Sequence, residues 1–332
     1  MKQPDAVIEL VKPDSFISRL SPARWHTLPE VMYPLIGLIL VCGVMSMTSR
    51  YFLSAENGMM ILRQVSINLI MAIGMTFVIL TGGIDLSVGS IMALVGTLIS
   101  GLLVANVNPV LAIAAGFGAG LLAGLVNGAL VSLFNMPSII VTLATMGIAR
   151  GLALIYSKGY PIDGLPNWFA WVGQGSIMGW DIPVLICVVM YLLAWVVLKF
   201  TPFGRYVYAI GGNETATRLS GVNVRRYKWA VYAVSGLTAA LAGFILSSRL
   251  MSGQPSAGSG FELDAIAAVV MGGTAIAGGQ GSIIGTALGA ILLGVINSGL
   301  NMTGVSPYMQ LVIRGAIILL AVVISRKRVR WA

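Results

Sequence analysis

Apolar runs of about 20 residues recur along nearly the whole chain, separated by short polar or glycine-rich breaks. A helix needs about 20 apolar residues to cross the hydrocarbon core of a bilayer. That ruler predicts spans at 31–49, 61–81, 88–107, 109–134 and 138–157 in the first half. It predicts further spans at 182–200, 229–248, 262–278, 281–300 and 308–325 in the second. The expected fold class is therefore all-α: a polytopic helical membrane protein of about ten transmembrane helices, one or two of them broken or re-entrant. The 262–278 run is the weakest, since it opens with Glu262 and Asp264 and is rich in glycine.

Composition narrows the class. Of 332 residues, 57% are apolar and only 9% charged, with a mean hydropathy of +0.92. A soluble domain carries about 25% charged residues, so a soluble enzyme, a disordered chain and a secreted domain are excluded. Cys42 and Cys187 lie in apolar runs without a C-x-x-C partner, and His26 is the single histidine. Neither a disulfide framework nor a histidine-rich metal site has material.

The net charge of +9 is not a nucleic-acid signal, because its distribution follows the spans. Four basic residues precede residue 31, six lie from Lys199 to Lys228, and four from Arg326 to Arg330. Basic clusters flanking apolar spans mark cytoplasmic loops. An even span count returns both termini to the cytoplasmic side and places 201–228 there as well. The expected organisation is a cytoplasmic tail over 1–30, a membrane domain over 31–325 and a basic cytoplasmic tail over 326–332. The first tail has no apolar core of the signal-peptide kind.

Two long stretches lie outside the spans. Residues 158–181 carry Trp168, Trp171 and Trp180, which suit the membrane–water boundary or a surface for an external partner. Residues 201–228 are the most organised polar piece. Pro202 stops the preceding helix and Gly211-Gly212 permits a turn. Asn213 is an expected N-cap for a short helix over 214–220, with Gly221 as terminator. Ala216 and Leu219 share one side of it and Arg218 is exposed. A helix that short needs something to hold it.

Polar residues within spans are the candidate functional groups, since a charge at mid-bilayer costs about 2.5–3.5 kcal/mol on insertion scales. Asp85 sits in Gly82-Gly83-Ile84-Asp85-Leu86-Ser87, a break with barely a turn between two spans. It can orient a polar substrate, pair with Arg150, or cap the following helix. Arg150 and Arg314 lie near span ends, where snorkelling is open to them. Asn68, Asn127 and Asn297 lie deeper, suited to bonding a neutral polyol or a neighbouring helix. With Glu262 and Asp264 they complete the candidate pathway set.

Glycines add two further signals. Gly116, Gly120, Gly124 and Gly128 recur every fourth residue, as do Gly281, Gly285 and Gly289, making smooth helix faces. A faint repeat relates Ala72, Met75, Gly82 and Gly83 to Ala268, Met271, Gly278 and Gly279. Interrupted helices at matching places in two halves point to a transport pathway. No H-E-x-x-H, G-x-S-x-G or G-x-x-x-x-G-K-[ST] occurs, so neither hydrolase chemistry nor P-loop ATP hydrolysis has its residues here.

Three segments carry a resemblance: GMTFVILTGGIDLSVGS (Gly74–Ser90), TPFGRYVYAIGGNETATRLSGV (Thr201–Val222) and FELDAIAAVVMGGTAIAGGQGSIIGTALGA (Phe261–Ala290). In this order and spacing the chain resembles permease subunits of bacterial ABC importers for simple sugars. That group includes ribose, xylose and galactose importers and an autoinducer-2 transporter. The resemblance implies a homodimer or paired permease in the inner membrane, a cytoplasmic ABC ATPase and a periplasmic sugar-binding protein. It also implies that this chain binds no cofactor, ATP being used by the partner subunits. Loop 201–228 would hold the coupling helix, with Arg205, Glu214, Ala216, Arg218 and Gly221 as candidates for ATPase docking. Glu214-Thr215-Ala216 followed by Gly221 is a degenerate E-A-A…G signature, and its spacing to glycine departs from the wider importer pattern. The alternatives are a permease of the branched-chain amino-acid type and an ion-coupled secondary transporter.

Overall fold

The computed structural model describes residues 31–48, 51–313, 315–317 and 319. The tails over 1–30 and 326–332, and Arg314, lie outside the described residues. Five helices fill the first half: α1 (Met32–Thr48), α2 (Ala55–Leu80), α3 (Val88–Val104), α4 (Pro109–Leu133) and α5 (Ser138–Ser157). A short α6 (Ala170–Gln174) and the hairpin β1–β2 (Ser176–Ile177, Trp180–Asp181) follow. Then come α7 (Ile182–Phe200), α8 (Pro202–Gly212), α9 (Glu214–Leu219), α10 (Val224–Leu250), α11 (Phe261–Met271) and α12 (Ile283–Met302). Residues 307–313 start a further helix.

Among the described residues, six helices are long and apolar enough to cross a membrane: α2, α4, α5, α7, α10 and α12. α1 and α3 are apolar but shorter. The 262–278 run departs most from expectation. It is helical only to Met271, then gives way to a loop with positive-φ glycines at 273, 278, 279 and 281. Loop 201–228 also holds one more helix than expected. Pro202 does end α7, but it occupies the first turn of α8, where its missing N–H costs nothing. Thr201 is the extended hinge, its side chain accepting from Gly204 N at 3.3 Å.

Burial separates inner from outer helices. The apolar window of α2 is 78% buried and those of α4 and α5 are 22% buried, so α2 is a central post and α4 and α5 form the rim. Ile70, Met71, Ala72, Met75 and Ile79 of α2 are sealed in the core. α10 crosses behind α2 and lies along α4. Their contact is backbone on backbone: a Cβ on Gly124 would lie 2.3 Å from the Tyr232 carbonyl oxygen, and one on Gly236 2.2 Å from that of Gly120. In lipid, such close approach supplies the packing that the hydrophobic effect supplies in water.

One stretch between helices runs without helical hydrogen bonding at the depth of α3. After α10 the chain passes Thr97 and Ser100 at Gly253 and reaches Gly89 at Gly258. Gly253 pairs with Ile162 through two 2.9 Å backbone bonds. Segment 158–181 is tied to the same end of the bundle. Gly173 N donates to Ser248 Oγ at 2.7 Å, and Arg63 of α2 grips Asp181, with Nε 2.6 Å from Oδ2. Phe169 is buried against Phe244, whereas Trp168, Trp171 and Trp180 are exposed.

Candidate functional site

The break between α2 and α3 is organised by Asp85. Its side chain is fully buried. Oδ1 accepts from Ser87 N at 3.0 Å and Ser87 Oγ at 2.5 Å, and Oδ2 accepts from Ser235 Oγ of α10 at 2.7 Å. Asn127 of α4 extends the network, donating from Nδ2 to Ser87 Oγ at 2.9 Å. Its Oδ1 accepts from Thr145 Oγ1 of α5 at 2.6 Å. Ile84 N donates to Ser138 Oγ at 3.2 Å, and Thr142 Oγ1 donates to Ile84 O at 3.2 Å. One seven-residue turn thus engages α4, α5 and α10, which explains how irregular backbone persists inside the bundle.

Arg150 does not pair with Asp85. Its guanidinium donates to the carbonyls of Pro255 and Ala257, both at 2.6 Å. Those carbonyls belong to the non-helical stretch beside α3, where helical partners are lacking. Glu262 lies at the end of that stretch: Oε1 accepts from Gly260 N at 3.2 Å, and its carboxylate interacts electrostatically with Arg150. Asp264 is buried one turn into α11. Asn68 is half-buried on α2, and its Oδ1 is enclosed without a hydrogen bond. Asn297 is half-buried on α12. Asp85 and Asn127 thus share one network, while Arg150 and Glu262 serve the second irregular stretch.

The partners Ser87, Thr145 and Ser235 escape a search for unusual residues, because single hydroxyls are common in spans. Ser235 lies 150 residues from Asp85, beyond any local pattern.

At one end of the bundle α8 and α9 form a projecting unit. Asn213 caps α9 as expected, its side chain accepting from Ala216 N at 2.9 Å. Thr217 is the buried residue of α9, and its Oγ1 donates to Ala209 O of α8 at 2.9 Å. Ala216 and Arg218 face outward, and Leu219 is 83% exposed. Gly221 has φ +86°, the left-handed conformation that ends the helix. Arg205, near the start of α8, is exposed as well. A cavity of about 260 Å³ separates α9 from the Asp85 turn, lined by Thr81, Gly82, Ser138, Glu214 and Lys228.

Glu214 fastens α9 to α10, accepting from Lys228 Nζ and Arg218 Nη2, each at 2.6 Å. Burial pushes its carboxyl up, but the two cations outweigh that and hold it below the ordinary carboxylate value. A folded pKa below the unfolded one adds stability that is complete above the unfolded value, about 4.3, and drains as pH falls through the lower folded value. A spin label at Leu219→Cys is therefore expected to keep its mobility from about pH 8 to about pH 5 and to loosen only below. In a Lys228→Met variant the label is expected to be looser across the whole range, because the tie to α10 is gone.

Comparison with known proteins gives a consistent picture. The model of the family described as branched-chain amino acid transport system / permease component matches residues 57–322. The ribose import permease protein RbsC of Bacillus subtilis (strain 168) is 50% identical over 297 residues, 89% of this chain and 92% of that protein. The ribose import permease of Escherichia coli (strain K12) is 47% identical over 298 residues, 89% and 93% of the two chains. The D-allose transport system permease protein AlsC of the same strain is 37% identical over 289 residues, 87% and 89%. No solved structure matches.

Proposed function

The chain belongs to the branched-chain amino acid transport system / permease component family as a permease of the ABC sugar-importer kind, and from that premise we propose that it carries ribose or a closely similar simple sugar inward. The family's name mentions amino acids, but relatives at 50% and 47% identity are named for ribose and one at 37% for allose. Sugar is accordingly the first reading.

The proposed topology has ten crossings or partial crossings with both termini in the cytoplasm of a bacterium. It places the α8–α9 unit inside and segment 158–181 outside, consistent with the basic residues from Lys199 to Lys228. Two such permeases pair, a periplasmic binding protein delivers the sugar, and separate ATPase subunits supply the energy. The observation that carries this reading is the α8–α9 unit. It exposes Leu219 and Ala216 on a short helix while Thr217 and Glu214 hold that helix to the bundle. A surface of that form offers a partner something to push. ATP binding then favours one packing of the bundle over the other through the contacts made at α9.

Asp85 and Asn127 frame the pathway in this reading, and Asn68 and Asn297 are the residues offered for contact with sugar hydroxyls. The complex should be reconstituted in vesicles with its ATPase and a ribose-binding protein. Uptake of labelled ribose is expected to require ATP and to survive a protonophore. Uptake abolished by the protonophore at constant ATP would instead place the chain among ion-coupled carriers. Stimulation by leucine in place of ribose would move it to amino-acid transport.

A further inference from the structure

Three backbone segments from distant parts of the chain converge just above the α8–α9 unit. They are the last residue of α2 with the turn that follows it (Leu80 to Gly82), the end of α8 (Gly211) and the loop after α11 (Gly278, Gly279). Gly279 N donates to Leu80 O at 3.0 Å, joining the loop to α2. A Cβ on Gly211 would lie 1.9 Å from Leu80 O and 2.3 Å from Gly279 N. A Cβ on Gly278 would lie 2.7 Å from Gly82 N and 3.0 Å from Gly211 Cα. Tyr208 of α8 reaches the same loop, its hydroxyl donating to Gly281 O at 3.0 Å. At the crossing itself no side chain separates the segments.

A contact between backbones has little give. A side chain absorbs a displacement by changing rotamer, whereas backbone atoms at van der Waals distance pass it on. The crossing is tied to α9 on one side, through the Thr217 bond to Ala209 of α8. On its other side the chain runs directly into the Asp85 turn and into α12, which begins at Ile283. The residues of the repeat, Gly82 and Gly278, are the ones that meet here.

We propose that this glycine crossing carries the movement of α9 into both interrupted hairpins, α2–α3 and α11–α12, and that Tyr208 is the positioning residue that keeps α8 seated on the loop. The inference rests on the importer reading, and it assigns the coupling to these residues within it. Tyr208→Phe removes one hydroxyl and leaves the ring, so the fold is retained. Gly211→Ala inserts a methyl group into the crossing.

The test measures labelled ribose taken up per ATP hydrolysed in the reconstituted complex, together with membrane abundance and ATPase co-purification. Tyr208→Phe is expected to keep abundance and co-purification at the parental level and to lower sugar moved per ATP about threefold, as befits one hydrogen bond. Gly211→Ala is expected to lower that ratio about tenfold, reflecting contact with backbone that cannot yield. An unchanged ratio in Tyr208→Phe would overturn the proposal, including the case in which Gly211→Ala merely fails to accumulate. A fall in uptake matched by an equal fall in ATP hydrolysis would overturn it too. If the unaltered complex shows no ribose-stimulated ATP hydrolysis, the choice of ribose as its sugar is what fails.

Discussion

Replacing Asp85 by alanine is expected to lower membrane abundance and sugar uptake together, each by more than about tenfold. The carboxylate accepts three hydrogen bonds, from Ser87 N, Ser87 Oγ and Ser235 Oγ, at a fully buried position. Alanine leaves those donors without an acceptor, and each buried orphan costs about 1–3 kcal/mol. Even the low end of that sum, about 3 kcal/mol, is a large share of the 5–15 kcal/mol that holds a typical domain folded. Asp85→Asn should behave differently. Its amide oxygen still accepts from Ser87, and the Ser235 hydroxyl can turn to accept from the amide nitrogen. Abundance and uptake in Asp85→Asn are expected to stay within about threefold of the parent. Quantitative blotting of membranes beside uptake assays separates the cases. Lost uptake at full abundance in the asparagine variant would show that the charge itself serves transport.

The second large effect is expected at the crossing of α4 and α10. Gly124→Leu pushes a side chain against the Tyr232 carbonyl, where a Cβ alone would sit 2.3 Å from oxygen. Overpacking a core usually costs about 1–3 kcal/mol, and here the obstacle is helical backbone, so the high end applies. The helices must part, and with them goes the alignment of Ser235 on Asp85 and of Asn127 on Ser87. Thermal unfolding of detergent-purified protein should show a midpoint lower by several degrees, with loss of uptake. Gly118→Leu lies on the same helix with nothing within 4 Å of its Cβ position, and should match the parent. Equal losses in the two variants would mean that α4 tolerates no leucine anywhere, and the crossing would have no special standing.

Much of this architecture is legible in the sequence, for identifiable reasons. Spacing of four along Gly116 to Gly128 defines a helix face whatever lies opposite, and all four glycines are buried. The Asn213 cap and the Gly221 stop are local, so they too were visible in a short window. No local signal marks α8, because proline ends one helix and begins another with equal ease. The span expected at 262–278 is too long because the hydropathy of 272–278 resembles that of a span, while Gly273 and Gly278 take positive-φ conformations that no helix accepts. For Asp85 the local sequence contained three alternatives, and the deciding partner, Ser235, lies on a helix brought alongside only by folding. Arg150 shows the same limit: its partners are carbonyl oxygens, which every residue possesses and no pattern marks.

Arg150 also bears on the order in which the protein can be made. The carbonyl of Pro255 lies 105 residues after the arginine that satisfies it. At a synthesis rate of about 5–20 residues per second, α5 emerges from the ribosome roughly 5–20 s before the stretch that depends on it. On that schedule the irregular segment is expected to meet a donor that has already been synthesised. Were the two in the opposite order, bare carbonyls would have to dwell in lipid for those seconds, and the translocon would have to shelter them.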